Sequence, residues 1–211
     1  MSHRQAPESR VLHAVRVIGF ASGAVIAERA GTSHGEALRV LSRAERAGWV
    51  QHVAFAGLEG WSLTDVGKVE NERRLAAERE EADPDGVIAA VYRDFLPLNA
   101  RLLKAVTEWQ IKPTAADQFA RNDHIDPGWD ERILNELALL SNELVPLTER
   151  LSAVLARFDG YATRYETALR KARNGHHDWV DKTDKDSCHR VWFQLHEDLI
   201  ATLGIDRRNE V

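Results

Sequence analysis

The sequence predicts a mainly α protein with one small β-hairpin near its N-terminal end and an antiparallel helical bundle after it. Three observations predict this. Residues 22–47 carry two successive capped helical patterns. Residues 49–63 switch to aromatic and β-branched residues around a glycine-containing turn. From Val87 onward, apolar residues recur at helical spacing.

The elements follow in order. Ser22 caps a short helix carrying Ala24, Ile26 and Ala27, and Gly31 turns the chain at its end, where a residue without Cβ takes positive φ. Ser33 caps a second helix with Glu36 as its capping-box partner, and Ala37, Val40, Leu41 and Ala44 fall on one apolar face. Gly48 closes it. Trp49, Val50, Val53 and Phe55 form a strand, Ala56 to Gly60 a turn, and Trp61 to Leu63 the returning strand. Thr64 caps a long charged helix running to about Ala82. Helix, turn, helix and hairpin in that order make a winged helix-turn-helix, whose default function is sequence-specific DNA binding.

The run Ala82-Asp83-Pro84-Asp85-Gly86 stops that helix and marks a domain boundary. Residues 1–82 are assigned to the winged helix-turn-helix with its linker helix, and 83–211 to a helical bundle. Val87, Ile88, Val91, Tyr92, Phe95 and Leu96 form one amphipathic stretch; Pro97 either starts a new helix or kinks a continuous one, and Leu98, Leu102, Leu103, Val106 and Trp109 extend the pattern. A polar loop spans Lys112 to Gly128. A leucine-rich helix covers Trp129 to Arg157, bent at Pro146, and another helix covers Phe158 to Asn174. A second loop, Gly175 to Asp186, leads to the last helix. Four or more antiparallel helices therefore form the bundle. No internal repeat or low-complexity segment interrupts it.

Composition sets the outer bounds. At 211 residues and 44% hydrophobic content the chain can bury a substantial core. One cysteine, Cys188, excludes an intramolecular disulfide framework and suits a reducing cytoplasm, while leaving a thiol sensor open. No apolar run approaches the roughly 18 residues of a spanning helix, and MSHRQAPESR has no apolar signal core, so a cytoplasmic protein without membrane contact is expected. The formal charge is -5, yet the chain up to Leu75 holds 10 Lys and Arg against 8 Asp and Glu, with 18 against 25 beyond it. The asymmetry has the sign that DNA binding requires, although a module this weakly basic needs dimer avidity or a matched site.

From Gly31 through Ser33 to Gly48-Trp49-Val50 and the closing Leu63-Thr64-Asp65-Val66-Gly67, residues 10–80 resemble the DNA-binding module of MarR-type and related winged-helix bacterial transcriptional regulators. The resemblance implies a homodimer on a pseudo-palindromic site in double-stranded DNA, with the second helix in the major groove and the wing along the backbone. Ser33, His34, Gly35, Glu36, Leu38, Arg39, Arg43 and Arg46 would then face the DNA, Arg16 would support them, and the wing tip would lie at 56–60. Glu36, Leu38 and a wing carrying Glu59 and no cation depart from the usual polar and basic pattern. Those departures keep open a second reading, in which the winged helix is a docking surface for another protein.

A weaker resemblance lies further on. FLPLN at 95–99, TEWQ at 107–110, NDH at 122–124 and VWFQLHEDLIATLG at 191–204 are similar to a helical region that accompanies winged helices in actinobacterial proteins. It also occurs in the tails of some phosphoenolpyruvate-utilising, dikinase-like proteins. The resemblance implies an architecture and suggests a phosphoenolpyruvate-utilising enzyme as a docking partner.

Polar residues at apolar positions point to a site in the bundle. Asn99 and Gln110 flank Leu103 and Val106 on one stripe, and His189, Phe193, His196, Ile200 and Leu203 form another. With Asp123 and His124 from the loop, Asn99, Gln110, His189 and His196 are candidates to line a pocket for a small-molecule effector. Each residue alone also fits a plain structural role: a satisfied core imidazole, a helix-to-loop tie or a turn cap. His124, the pair His176-His177 with Asp178, and His189 with His196 lack metal-ligand spacing, so no metal or other cofactor is expected. No nucleophile, P-loop or dinucleotide motif is present, and an enzyme is not expected.

Overall fold

A computed structural model describes residues 6–55 and 57–206. It is mainly helical, with one small antiparallel sheet. A helix ahead of the expected elements, α1 (Pro7–Ile18), is followed by β1 (Phe20–Ala21), α2 (Gly23–Arg29) and α3 (His34–Arg46). The hairpin β2 (Val50–Phe55) and β3 (Leu58–Leu63) and the long helix α4 (Asp65–Ala82) complete the winged helix.

Local capping sets three of these starts. Ser22 Oγ accepts from the Val25 N–H at 3.5 Å and Ser33 Oγ from the Glu36 N–H at 3.2 Å. Thr64 Oγ1 accepts from the Gly67 N–H at 3.0 Å and donates to the Gly48 carbonyl at 2.6 Å, tying the start of α4 to the end of α3. Ala37, Val40, Leu41 and Ala44 on α3 pack with Val11, Leu12 and Val15 of α1 and Ile26 and Ala27 of α2, and Val50 and Trp61 close this core from the sheet.

The wing differs from the expected turn. Pairing runs from Val50↔Leu63 out to Phe55↔Leu58, so the returning strand begins at Leu58 and not at Trp61. Gly57, at φ +79°, supplies the conformation that a tight hairpin needs. Of the expected tip, Ala56 lies outside the described residues. Gly60 is a strand residue whose lack of a side chain matters for another reason: a Cβ there would sit 2.8 Å from the Ala21 carbonyl oxygen of β1. That close approach lets β1 join the sheet in the order β1-β3-β2.

Beyond Gly86 come α5 (Val87–Gln110), α6 (Pro127–Val154), a 3-10 turn (Ala156–Phe158), α7 (Tyr161–Arg173), α8 (Asp178–Asp181) and α9 (Cys188–Leu203). Pro97 lies inside a continuous α5. Asp94 pairs with Arg150, Arg101 with Glu136 and Glu143, and Glu108 with Arg132, so α5 and α6 run antiparallel. Asp126 caps α6 by accepting from the Gly128 and Trp129 N–H groups. Its carboxyl is held below the usual range, chiefly by the Lys112 ammonium. The expected second loop contains the short α8.

The chain divides into two compact units. Among the described residues, one is Gly86–Leu195 and the other joins 6–85 with 196–206. The sequence predicts one boundary, at 82/83, with 83–211 in the bundle, and carries no sign of the second division at His196. Among the described residues no helix is long and apolar enough to cross a membrane.

Candidate functional site

On α3, the face opposite the buried stripe carries the residues that the resemblance assigns to DNA. Ser33, His34, Gly35, Leu38, Arg39, Arg43 and Arg46 are exposed and Glu36 half-buried. They are not equivalent. Ser33 is spent on its cap. The Arg39 guanidinium is folded back on its own helix, donating to the Gly35 carbonyl and pairing with Glu36 at 2.5 Å. Leu38 and His34 lean over Gly23, where a Cβ would stand 2.8 Å from Leu38 Cδ2 and 3.3 Å from His34 Nε2. Both side chains therefore help seat α3 on α2. The Arg43 and Arg46 guanidiniums make no hydrogen bond or ion pair with any described residue. Arg16 does not support this face: its side chain is 15% exposed and pairs with Glu197 at 3.0 Å. On the wing, His52 pairs with Glu59 at 3.1 Å.

A second site lies in the helical unit, an open cavity of about 610 Å³ where the end of α5, the 111–126 loop and α8 meet. Two of the six expected pocket residues line it, Gln110 and His124. Gln110 is not on a buried stripe: its neighbour Leu103 is 49% exposed, because the buried face of α5 centres on Phe95, Leu98, Leu102, Ala105 and Trp109. Its Nε2 donates to Asp181 Oδ2 at 2.7 Å. Asn99 does not line the cavity; its Oδ1 accepts from Trp192 Nε1 at 3.1 Å. Asp123 caps a turn by accepting from the Ile125 N–H. His189 stands beside Asp181, its imidazole pulled below the usual histidine range by burial and pushed partway back by the Asp181 carboxylate. His196 is 8% exposed, belongs to the winged-helix unit and is not among the residues that line the cavity.

A different set of side chains meets at the cavity wall and just behind it. Asn122 Nδ2 donates to the Trp109 carbonyl at 3.1 Å and to Asp130 Oδ1 at 2.8 Å, while Asn122 Oδ1 accepts from the His124 N–H. His124 Nδ1 stands 2.8 Å from Asp130 Oδ2. His124 is the only non-glycine residue with positive φ among the described residues, at +59°. Its ring lies against Trp109 with centroids 4.5 Å apart and against His177, the residue before α8, at 4.7 Å. One donor atom each from His124, Asp130 and His177 lies within 4.8 Å of the other two. In the sequence His124 and His177 stand out as histidines but nothing joins them, and the only local signal of Asp130 is its place in the first turn of α6.

Cys188 is fully buried, and burial pushes its thiol up to about 12, so no thiolate is available for redox sensing at neutral pH. Compared with protein-family models, curated proteins and solved structures, the chain matches none.

Proposed function

We propose that the protein is a cytoplasmic DNA-binding transcriptional regulator that works as a homodimer, with a helical domain that takes a small-molecule effector. The observation that carries this reading is α3. Its apolar stripe locks it into the winged-helix core, and two guanidiniums with no partner among the described residues, Arg43 and Arg46, stand on the opposite face three residues apart. Guanidiniums in that position suit phosphate or guanine contacts. The cavity beside Trp109 is the place for an effector, and the effector would shift DNA affinity only by as much as it prefers one of two packings.

Selection of genomic fragments by the purified protein at two salt concentrations tests the reading. Enrichment of a palindromic site, bound less tightly as salt rises, is the expected result. Arg43→Ala with Arg46→Ala should weaken that binding roughly ten- to a hundredfold. Unchanged affinity would remove α3 from the interface.

A second reading rests on its own observations. Arg39 is neutralised by Glu36, the wing bears Glu59, and Leu38, Val53 and Leu58 are exposed on the same unit. Such a surface suits a protein partner, and the weaker sequence resemblance makes a phosphoenolpyruvate-utilising enzyme the first to try. A folded protein that enriches no DNA would favour it.

A further inference from the structure

We infer that His124, His177 and Asp130 form a binding site for one divalent transition-metal ion of the zinc class. The inference concerns the helical unit alone and does not depend on DNA binding.

The groups around His124 fix the place of its proton. Asn122 Nδ2 has two hydrogens and three near acceptors: the Trp109 carbonyl, Asp130 Oδ1 and, at 3.2 Å, His124 Nδ1. Every group is satisfied when the amide serves the first two and the His124 Nδ1–H donates to Asp130 Oδ2. Asp130 is then a carboxylate only 7% exposed whose two oxygens are both engaged, with no Lys or Arg of the described residues paired to it. Burying that charge is costly without a cation.

The geometry lies near what an ion requires. Two donors bound at about 2.1 Å stand about 3.4 Å apart at a tetrahedral angle, so Nδ1 of His124 and Oδ2 of Asp130, at 2.8 Å, need to part by about half an ångström. Two imidazoles on one ion have ring centres roughly 4.5–5 Å apart, and those of His124 and His177 are at 4.7 Å. His177 is exposed, and no described residue hydrogen-bonds its ring nitrogens, so its ring can rotate to close the 4.8 Å spread of the three donors. On binding, the proton leaves Nδ1 for solvent while Nε2 takes one up, so the imidazole stays neutral as its Nε2–H tautomer and no net proton is released. Two nitrogens and one carboxylate oxygen suit zinc, cobalt or nickel better than calcium or magnesium. Asn122 remains on Asp130 Oδ1 as the outer hydrogen bond that orients the ligand. His124 and His177 both line the cavity, whose charged walls are Asp178, Asp181, Arg121 and Lys182.

Titration of the untagged full-length protein, stripped with a chelator, with Co²⁺ tests the site through its visible absorption, and Zn²⁺ competition gives the affinity. One ion per chain is expected. His177→Ala should weaken binding at least tenfold. So should His124→Asn, which keeps a residue tolerant of the left-handed backbone. His176→Ala, one residue away in the same loop, should leave affinity unchanged. No uptake of Co²⁺ or Zn²⁺, undiminished binding by His177→Ala, or an equal loss in His176→Ala would each overturn the inference. None of these outcomes bears on whether α3 contacts DNA.

Discussion

At the scale of single residues, the sharpest electrostatic feature is Glu70 on α4. The Arg73 guanidinium and then that of Arg74 hold its carboxyl at about 2 against an ordinary 4.5, while partial burial works the other way. Arg74 in turn reaches Glu8 on α1 and lies 4.8 Å from the centre of the Trp49 ring. Glu70 thus orders the cation that spans from α4 to α1. Because its carboxyl is lowered in the folded protein, the unfolded chain takes up the proton first. The stabilisation is complete above the ordinary value and drains away as pH falls from 4.5 towards 2. Glu70→Gln should therefore lower stability at neutral pH and flatten the acid limb. Urea unfolding at about pH 6 and about pH 3 measures this; an acid limb as steep as that of the parent protein would assign the sensitivity elsewhere.

At the scale of elements, the wing is held by close backbone approach. Gly67, in the first turn of α4, sits so near the Trp49 carbonyl that a Cβ would overlap it at 1.8 Å. The clash is with backbone and cannot be relieved by a rotamer change. Gly67→Ala should cost about 3 kcal/mol, at the upper end of overpacking effects. Gly35→Ala, where nothing lies within 4 Å of the added carbon, should gain roughly 0.5–1 kcal/mol from helix propensity. Thermal unfolding of the two variants checks the contrast, and equal shifts would mean that α4 can slide off the strand. The same elements show what was readable in advance. Ser22, Ser33 and Thr64 announce helix starts because a cap is a bond between near neighbours, and each was found where expected. The stripe Ala37, Val40, Leu41, Ala44 was legible for the same reason. β1, by contrast, is two residues paired to β3 some forty positions on, and no periodicity fits in two residues. The early start of β3 depends on Gly60 packing under β1, which is likewise non-local.

At the scale of the whole molecule, long separation in sequence is what hid the sites. The lengths of α6 and α7 separate His124 and Asp130 from His177, so no spacing rule joins them. A stripe reading of the last helix likewise put His189 and His196 in one pocket, although its second half belongs to the winged-helix unit. There Asp198 Oδ1 lies 2.9 Å from His13 Nε2, both nearly fully buried, Glu197 pairs with Arg16, and Arg79 donates to the Thr202 carbonyl. The winged helix is thus completed by residues more than a hundred positions downstream of it. His13 is turned inward by Asp198, and losing that carboxylate would leave a buried imidazole without the acceptor it faces, whereas Arg16 has a second carboxylate, Glu72, at 3.5 Å. Asp198→Ala should destabilise the protein by about 3 kcal/mol, the scale of breaking a buried charged or hydrogen-bonded pair from one side. A chain ended after Leu195 should lose more, and should lose it in the winged-helix unit. Hydrogen exchange followed at α1 separates the possibilities. Faster exchange in α1 with the amides of α5 and α6 still protected is the expected pattern, whereas unchanged protection of α1 would mean that the first 85 residues are self-sufficient.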